Sequence, residues 1–179
     1  MLEITHYHTL VFDFDGVFTD NKVYVDQNGK ETVRCCRGDG FAFEILRKYQ
    51  QKNNLKLDVL ILSKEKNSVV AKRAEKLKLK CLHGVDDKLA ALKKYFTETR
   101  PNDQHPFDGL IFVGNDLNDL SVMKKAKLSF APADSHIIIH SLATMVVPQN
   151  GGHGCVRAII EEILGINEMS VDEIEDLLN

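Results

Sequence analysis

Short apolar runs alternate with stretches of helical period along most of the chain. "TLVFDFD" (Thr9 to Asp15) carries bulky Val11, Phe12 and Phe14 and stops at Gly16, which predicts a first buried strand. "LDVLILS", "KCLHG", "GLIFVG", "LSFAPA" and "TMVVP" predict further strands. Between them, "GFAFEILRKYQQKNN", "NSVVAKRAEKLKL", "DDKLAALKKYF", "NDLSVMKKA", "ADSHIIIHSLA" and "GCVRAIIEEILG" have helical spacing, and "SVDEIEDLL" adds a short acidic helix. Two alternating segments flank Asn28-Gly29 in "KVYVDQNGKETVRC", a hairpin pattern. This order predicts an α/β fold: a Rossmann-like, mainly parallel sheet flanked by helices, with a β-hairpin after the first strand. Residues 1–179 read as one domain, with no repeat, low-complexity tract or linker.

Composition narrows the classes. The 179 residues carry 26 acidic and 23 basic side chains, a net charge of -3, so no basic excess points to nucleic acid. No apolar run reaches membrane-span length, and Met1 to Thr9 lacks the apolar stretch of a signal peptide. Cys35, Cys36, Cys81 and Cys155 form no CxxC pair, which favours reduced thiols and a cytoplasmic location. The histidines offer no zinc spacing: His136 and His140 are four apart without a third partner, and His6 and His8 read as an exposed lead-in. Phe41, Phe43 and Phe12 are expected in the core.

In open parallel sheets, sites form at the carboxyl ends of strands. Four such ends carry related chemistry: Asp13 and Asp15; Ser63 followed by Lys64, Glu65 and Lys66; Lys88 in "GVDDK"; and Asn115, Asp116 and Asp119 in "VGNDLND". Asp13 and Asp15 share one face of a regular strand, and two such carboxylates repel unless a cation or proton intervenes. Hard oxygen ligands in small number suit Mg²⁺ with a substrate phosphate. Ser63 and Lys88 supply a hydroxyl and a cation for the other phosphoryl oxygens. Asp13 is then the candidate nucleophile, and Asp15 the acid that protonates the leaving oxygen and later the base for water. Asp116 and Asp119 serve equally as helix caps.

"DFDGVFTD", "ILSKEKN", "GVDDK" and "GNDLND" resemble the four motifs of the haloacid dehalogenase superfamily of phosphohydrolases, over nearly the whole chain. "RAEKLKL", "HGVDDKLAAL" and "GGHGCVRAI" resemble its capless branch. That branch includes 3-deoxy-D-manno-octulosonate 8-phosphate phosphatases, nine-carbon 2-keto-3-deoxy acid phosphatases and the C-terminal domain of some N-acylneuraminate cytidylyltransferases. The resemblance implies an aspartyl-phosphate on Asp13, acid/base work by Asp15, and phosphoryl binding by Ser63 and Lys88. It implies Mg²⁺ held by the Asp13 carboxylate, the Asp15 carbonyl and a side chain among Asn115, Asp116 and Asp119.

It also implies a phosphorylated sugar acid as substrate and a homotetramer with the hairpin between subunits. Glu65 falls where nine-carbon acid phosphatases have a glutamate, which favours a nonulosonate 9-phosphate over the eight-carbon ester. Arg34, Arg37, Lys66 and Arg157 are candidates for the substrate, although Arg157 equally fits a subunit contact or a helix-stabilising role. His153 reads as a substrate contact or a mobile loop residue. The gaps between motifs leave no room for a cap domain. Two positions depart from the pattern: Asn115 stands where the family has aspartate, and Lys64 where close relatives often have glycine. The first departure motivates an alternative, a weakly active or non-catalytic oligomerisation module associated with sialic-acid activation.

Overall fold

The computed structural model describes residues 3–179. Six strands form one parallel sheet: β1 (Thr9–Phe12), β4 (Asp58–Leu62), β5 (Lys80–Leu82), β6 (Leu110–Val113), β7 (Leu128–Ala131) and β8 (Met145–Val146). Their spatial order is β5-β4-β1-β6-β7-β8. A separate two-stranded hairpin, β2 (Tyr24–Val25) with β3 (Glu31–Thr32), follows β1. Seven α-helices complete the fold: α1 (Arg37–Lys52), α2 (Val69–Leu77), α3 (Lys88–Thr99), α4 (Leu120–Met123), α5 (Ile137–Leu142), α6 (Cys155–Leu164) and α7 (Val171–Leu178).

Alternation within the strands explains the three layers. Leu10 and Phe12 of β1 face one core with Ile61, Ile111, Phe130 and the apolar sides of α1 and α6. Val11 faces the opposite core with Leu60, Phe112, Leu92 of α3 and Ile139 of α5. Both faces of the central strands are therefore dry, as a parallel sheet requires. Phe12, Phe18 and Phe43 pack ring against ring, with centroids 5.6 to 5.9 Å apart, and Phe14 stacks on Phe18 at 5.7 Å.

Several details differ from the sequence expectations. The first strand ends at Phe12, because the chain turns through Asp15 to Phe18. Helix α1 starts at Arg37, ahead of Gly40. Phe41 is exposed on that helix, its ring covered by the Arg157 guanidinium at 5.8 Å. His8 is half-buried, edge-on to Phe96, and sits where a side chain on Gly109 would stand, 2.9 Å from its Cγ. His136 caps α5 by accepting from the Ile138 N–H through Nδ1, and Nε2 of His140 contacts the Pro132 carbonyl.

The hairpin closes through three residues, with Asp26 Oδ1 accepting from the N–H groups of Asn28 and Lys30 and Gly29 at φ +76°. All four cysteines are free. Between β1 and α1 lies only the hairpin, so no cap stands over the sheet among the described residues. No helix among them is long and apolar enough to cross a membrane.

Candidate active site

From β1 the chain runs to β4 and β5 on one side, then returns to β6, β7 and β8 on the other. The direction reverses between β1 and β6, so the crevice at their carboxyl ends is the expected binding place. Asp13 follows β1 there and Asn115 follows β6. A cleft of about 520 Å³ opens at that point. Asp13, Asp15, Ser63, Glu65, Lys66, Asn115 and Asp116 all line it.

The turn that carries Asp13 is tightly stitched. Phe14 O accepts from the N–H of Phe18 at 2.8 Å, and Thr19 Oγ1 accepts from Gly16 and Asn21 at 3.2 Å. Gly16 has φ +77°, and a Cβ there would lie 2.5 Å from Cγ of Asn115. The glycine thus serves both the turn and the close approach of the β6 loop. On its other side the turn is held by "NGGHG". A Cβ on Gly151 would lie 2.6 Å from the Gly16 carbonyl carbon, and one on Gly152 the same distance from Asp20 N. The Val17 carbonyl accepts from Gly152 N–H at 3.0 Å and faces the Cys155 thiol at 3.1 Å. Gly151 and Gly152 of this segment are docked, while Asn150 and His153 are exposed, His153 near Arg34, which pairs with Asp20 at 3.1 Å.

Asp13 is buried. Its Oδ1 accepts from Phe14 N–H and from Lys88 Nζ, both at 2.7 Å. Burial foremost, and then the Asp119 carboxylate, push its pKa upward against the pull of Lys88. Lys88, at the start of α3, is also buried and spans Asp13 and Asp119, reaching Asp119 Oδ1 at 2.6 Å. Burial alone would lower its pKa, but the two carboxylates outweigh that and raise it. Asp119 spends its other oxygen on the N–H groups of Asn115 and Asp116, at 2.9 and 3.3 Å. It stands behind Lys88 and does not line the cleft. Asp116 caps the following turn, accepting from Leu117 N–H at 2.7 Å.

Asp15 sits in the turn with its carboxyl in the cleft, its pKa raised by burial and then by the Glu65 carboxylate. Ser63 is buried at the end of β4. Its Oγ accepts from Glu65 N–H at 3.0 Å, which leaves the hydroxyl proton free to donate into the cleft. Glu65 in turn accepts from Asn67 N–H at 2.6 Å. Arg37 and Arg157 do not line the cleft; Arg157 pairs with Glu161 at 2.6 Å. Lys64 does line it, along with Asn21, Leu117 and Asn118, which no motif singled out. Only the left-handed φ of Asn21, +59°, hints at a special position, and such a conformation is not readable from sequence.

The oxygens around Asn115 fit a small hard cation. One end of its amide lies 2.8 Å from the Asp15 carbonyl oxygen and 3.2 Å from Asp13 Oδ2. Octahedral Mg²⁺ with bonds of about 2.1 Å places adjacent ligands about 3 Å apart, which matches these edges. Among the described residues no group of three His, Cys, Asp or Glu side chains could hold a metal. The set works only by including a backbone carbonyl and an amide.

A parallel sheet with a buried aspartate at its switch point, a lysine bridging two carboxylates behind it and a serine hydroxyl opposite defines a phosphohydrolase of the haloacid dehalogenase class. No family model matches the chain. Among curated relatives, the 3-deoxy-D-manno-octulosonate 8-phosphate phosphatase KdsC of Salmonella typhi is 30% identical over 165 residues, 92% of this chain and 82% of its own. KdsC of Escherichia coli K12 is 30% identical over 156 residues, 87% and 78% of the two chains.

Solved structures agree. A Streptomyces avermitilis protein assigned to the HAD family hydrolases superposes with a TM-score of 0.81 at 37% identity, covering 93% of this chain and 91% of its own. The octulosonate 8-phosphate phosphatase of Yersinia pestis superposes at 0.78 with 26% identity, covering 92% and 84%. The chain belongs to the KdsC family of 3-deoxy-D-manno-octulosonate 8-phosphate phosphatases.

Proposed function

We propose that the protein is a Mg²⁺-dependent phosphatase of a phosphorylated 2-keto-3-deoxy sugar acid, with Asp13 as nucleophile. One observation carries this reading. Asp13 holds Oδ1 fixed by Lys88 and a backbone N–H, while Oδ2 is turned to the cleft. In-line attack by Oδ2 on phosphorus forms the aspartyl-phosphate and breaks the bond to the sugar oxygen. Asp15, whose raised pKa favours its proton-bearing form, gives that proton to the departing oxygen. The Asp15 carboxylate then takes a proton from water as it attacks the acyl phosphate, which releases inorganic phosphate and restores Asp13. Ser63 Oγ–H donates to a phosphoryl oxygen, and the Lys88 ammonium, buried behind Asp13 and outside the cleft lining, offsets negative charge at the nucleophile. Asp13, the Asp15 carbonyl and Asn115 would hold Mg²⁺, which supplies positive charge to the phosphoryl group when bound.

The curated relatives named above favour the eight-carbon ester, and Glu65 and Lys66 at the cleft wall are the residues proposed to face the sugar. Arg37 and Arg157, outside the cleft, are left out of this assignment. We further propose a homotetramer assembled through the hairpin, on which Val23, Tyr24 and Val25 are exposed.

The test is phosphate release from eight- and nine-carbon acid phosphates, with Mg²⁺ and with chelator. Turnover of the eight-carbon ester alone supports the reading as stated, and preference for the nine-carbon ester moves the substrate to the nonulosonates. Silence toward both, with the assembly intact, favours the non-catalytic module. Asp13→Asn should lower turnover by at least about a thousandfold while the protein still folds.

A further inference from the structure

The amide of Asn115 has two orientations, and only one of them is satisfied by the protein's own groups. With its oxygen toward β1, that atom faces only acceptors, the Asp15 carbonyl at 2.8 Å and Asp13 Oδ2 at 3.2 Å, while its nitrogen faces only donors. A cation between the three oxygens would relieve the crowding on that side, while the NH₂ group would still face donors, a cost that metal binding has to meet. Turned by half a turn, the amide donates one N–H to each of those two oxygens, and its own oxygen meets the donors on the far side. The side chain is buried between Gly16 and the loop that Asp119 fixes through Asn115 N–H, so exchanging its two ends is a half-turn in place. A carboxylate at this position would have no such second state, because it has no proton to offer Asp13 and adds a charge beside it.

We propose that Asn115 is a positioning residue that holds the metal site closed on itself when the cation is gone. Its NH₂ group then occupies the place of the metal between Asp13 and the Asp15 carbonyl, and cation binding turns the amide to present oxygen. The inference rests on the reading of Asp13, Asp15 and Asn115 as the metal site. It has two consequences. The metal-free protein keeps its nucleophile turn ordered, and Mg²⁺ must displace two hydrogen bonds, so it binds more weakly than to an aspartate in the same place.

The experiment compares the full-length wild type with Asn115→Asp by thermal melting in chelator and over a Mg²⁺ titration, with ¹⁵N NMR of the Asn115 side-chain amide. In chelator, Asn115→Asp should melt about 2 to 4 °C below wild type. It should bind Mg²⁺ at least about tenfold more tightly and show the larger Mg²⁺-induced rise in melting temperature. The two Asn115 amide protons should be protected from exchange in chelator and shift when Mg²⁺ is added. Equal melting of the two proteins in chelator, or amide protons that exchange freely there and ignore Mg²⁺, overturns the inference. Failure of both proteins to respond to Mg²⁺ in either measurement instead removes the metal-site reading beneath it, and the inference with it.

Discussion

Lys88 Nζ stands 2.7 Å from Asp13 Oδ1, and both side chains are almost wholly out of contact with solvent. With Asp119 on the other side of the ammonium, at 2.6 Å, two acidic groups share one cation in the core. Lys88→Met leaves both acids unpaired. Stability should fall by about 3–5 kcal/mol at pH 7.5. The loss should shrink near pH 5, where stranded carboxylates of raised pKa take up protons. Urea unfolding at the two pH values measures this. Equal losses at both would show that charge pairing is not the source. Phosphatase turnover should fall at least about a hundredfold.

Gly16 and Gly29 both have positive φ, +77° and +76°, but only Gly16 has a neighbour in the way. Gly29→Ala should therefore cost about 1 kcal/mol, the conformational strain alone. Gly16→Ala adds a methyl against Asn115, and should cost at least about 1 kcal/mol more. It should also abolish the Mg²⁺-induced rise in melting temperature. If the two variants lose stability equally, the contact between Gly16 and Asn115 is not close enough to matter.

Asp39, buried in the first turn of α1, accepts from Arg157 N–H at 3.0 Å through Oδ1, while its Oδ2 has no partner. Burial pushes its pKa up to about 6 from an ordinary 3.8. The folded protein therefore binds this proton more tightly than the unfolded chain. Asp39 lowers stability progressively as pH rises from about 4 to 6, and the penalty stays constant above that. Asp39→Asn keeps the acceptor and removes the charge. Calorimetry should find it more stable than wild type at pH 7.5, by up to about 3 kcal/mol, with no gain at pH 4. A gain independent of pH would point to something other than charge.

Tyr24 is the most exposed aromatic of the hairpin, between Val23 and Val25. Tyr24→Asp places a charge in the proposed subunit contact, and light scattering should find a smaller species than the tetramer proposed for the wild type. An unchanged mass would separate the hairpin from the assembly.

The strands were readable because each is a short apolar run closed by polar residues, and a sheet buried on both faces leaves that mark. Asp13, Asp15, Ser63 and Asn115 could be placed at strand ends by the same token, and they do meet in one cleft. What the pattern hid was three-dimensional. Asp119 looked like one more acid of the β6 loop, whereas its oxygens are committed to Lys88 and two backbone N–H groups. Phe41 has the spacing of a core residue, yet lies on the flank of α1 beneath Arg157. His153 reads as a substrate contact or a mobile loop residue, and nothing in "NGGHG" tells that the backbone of Gly151 and Gly152 lies against the turn of Gly16, far away in the sequence.

That last contact bears on how the protein matures on the ribosome. The aspartate proposed to attack phosphorus is translated well before the wedge that steadies its turn, which arrives with residues 151 and 152. A nascent chain lacking them would leave that acidic turn without its support, so the competent site forms only once they have been made.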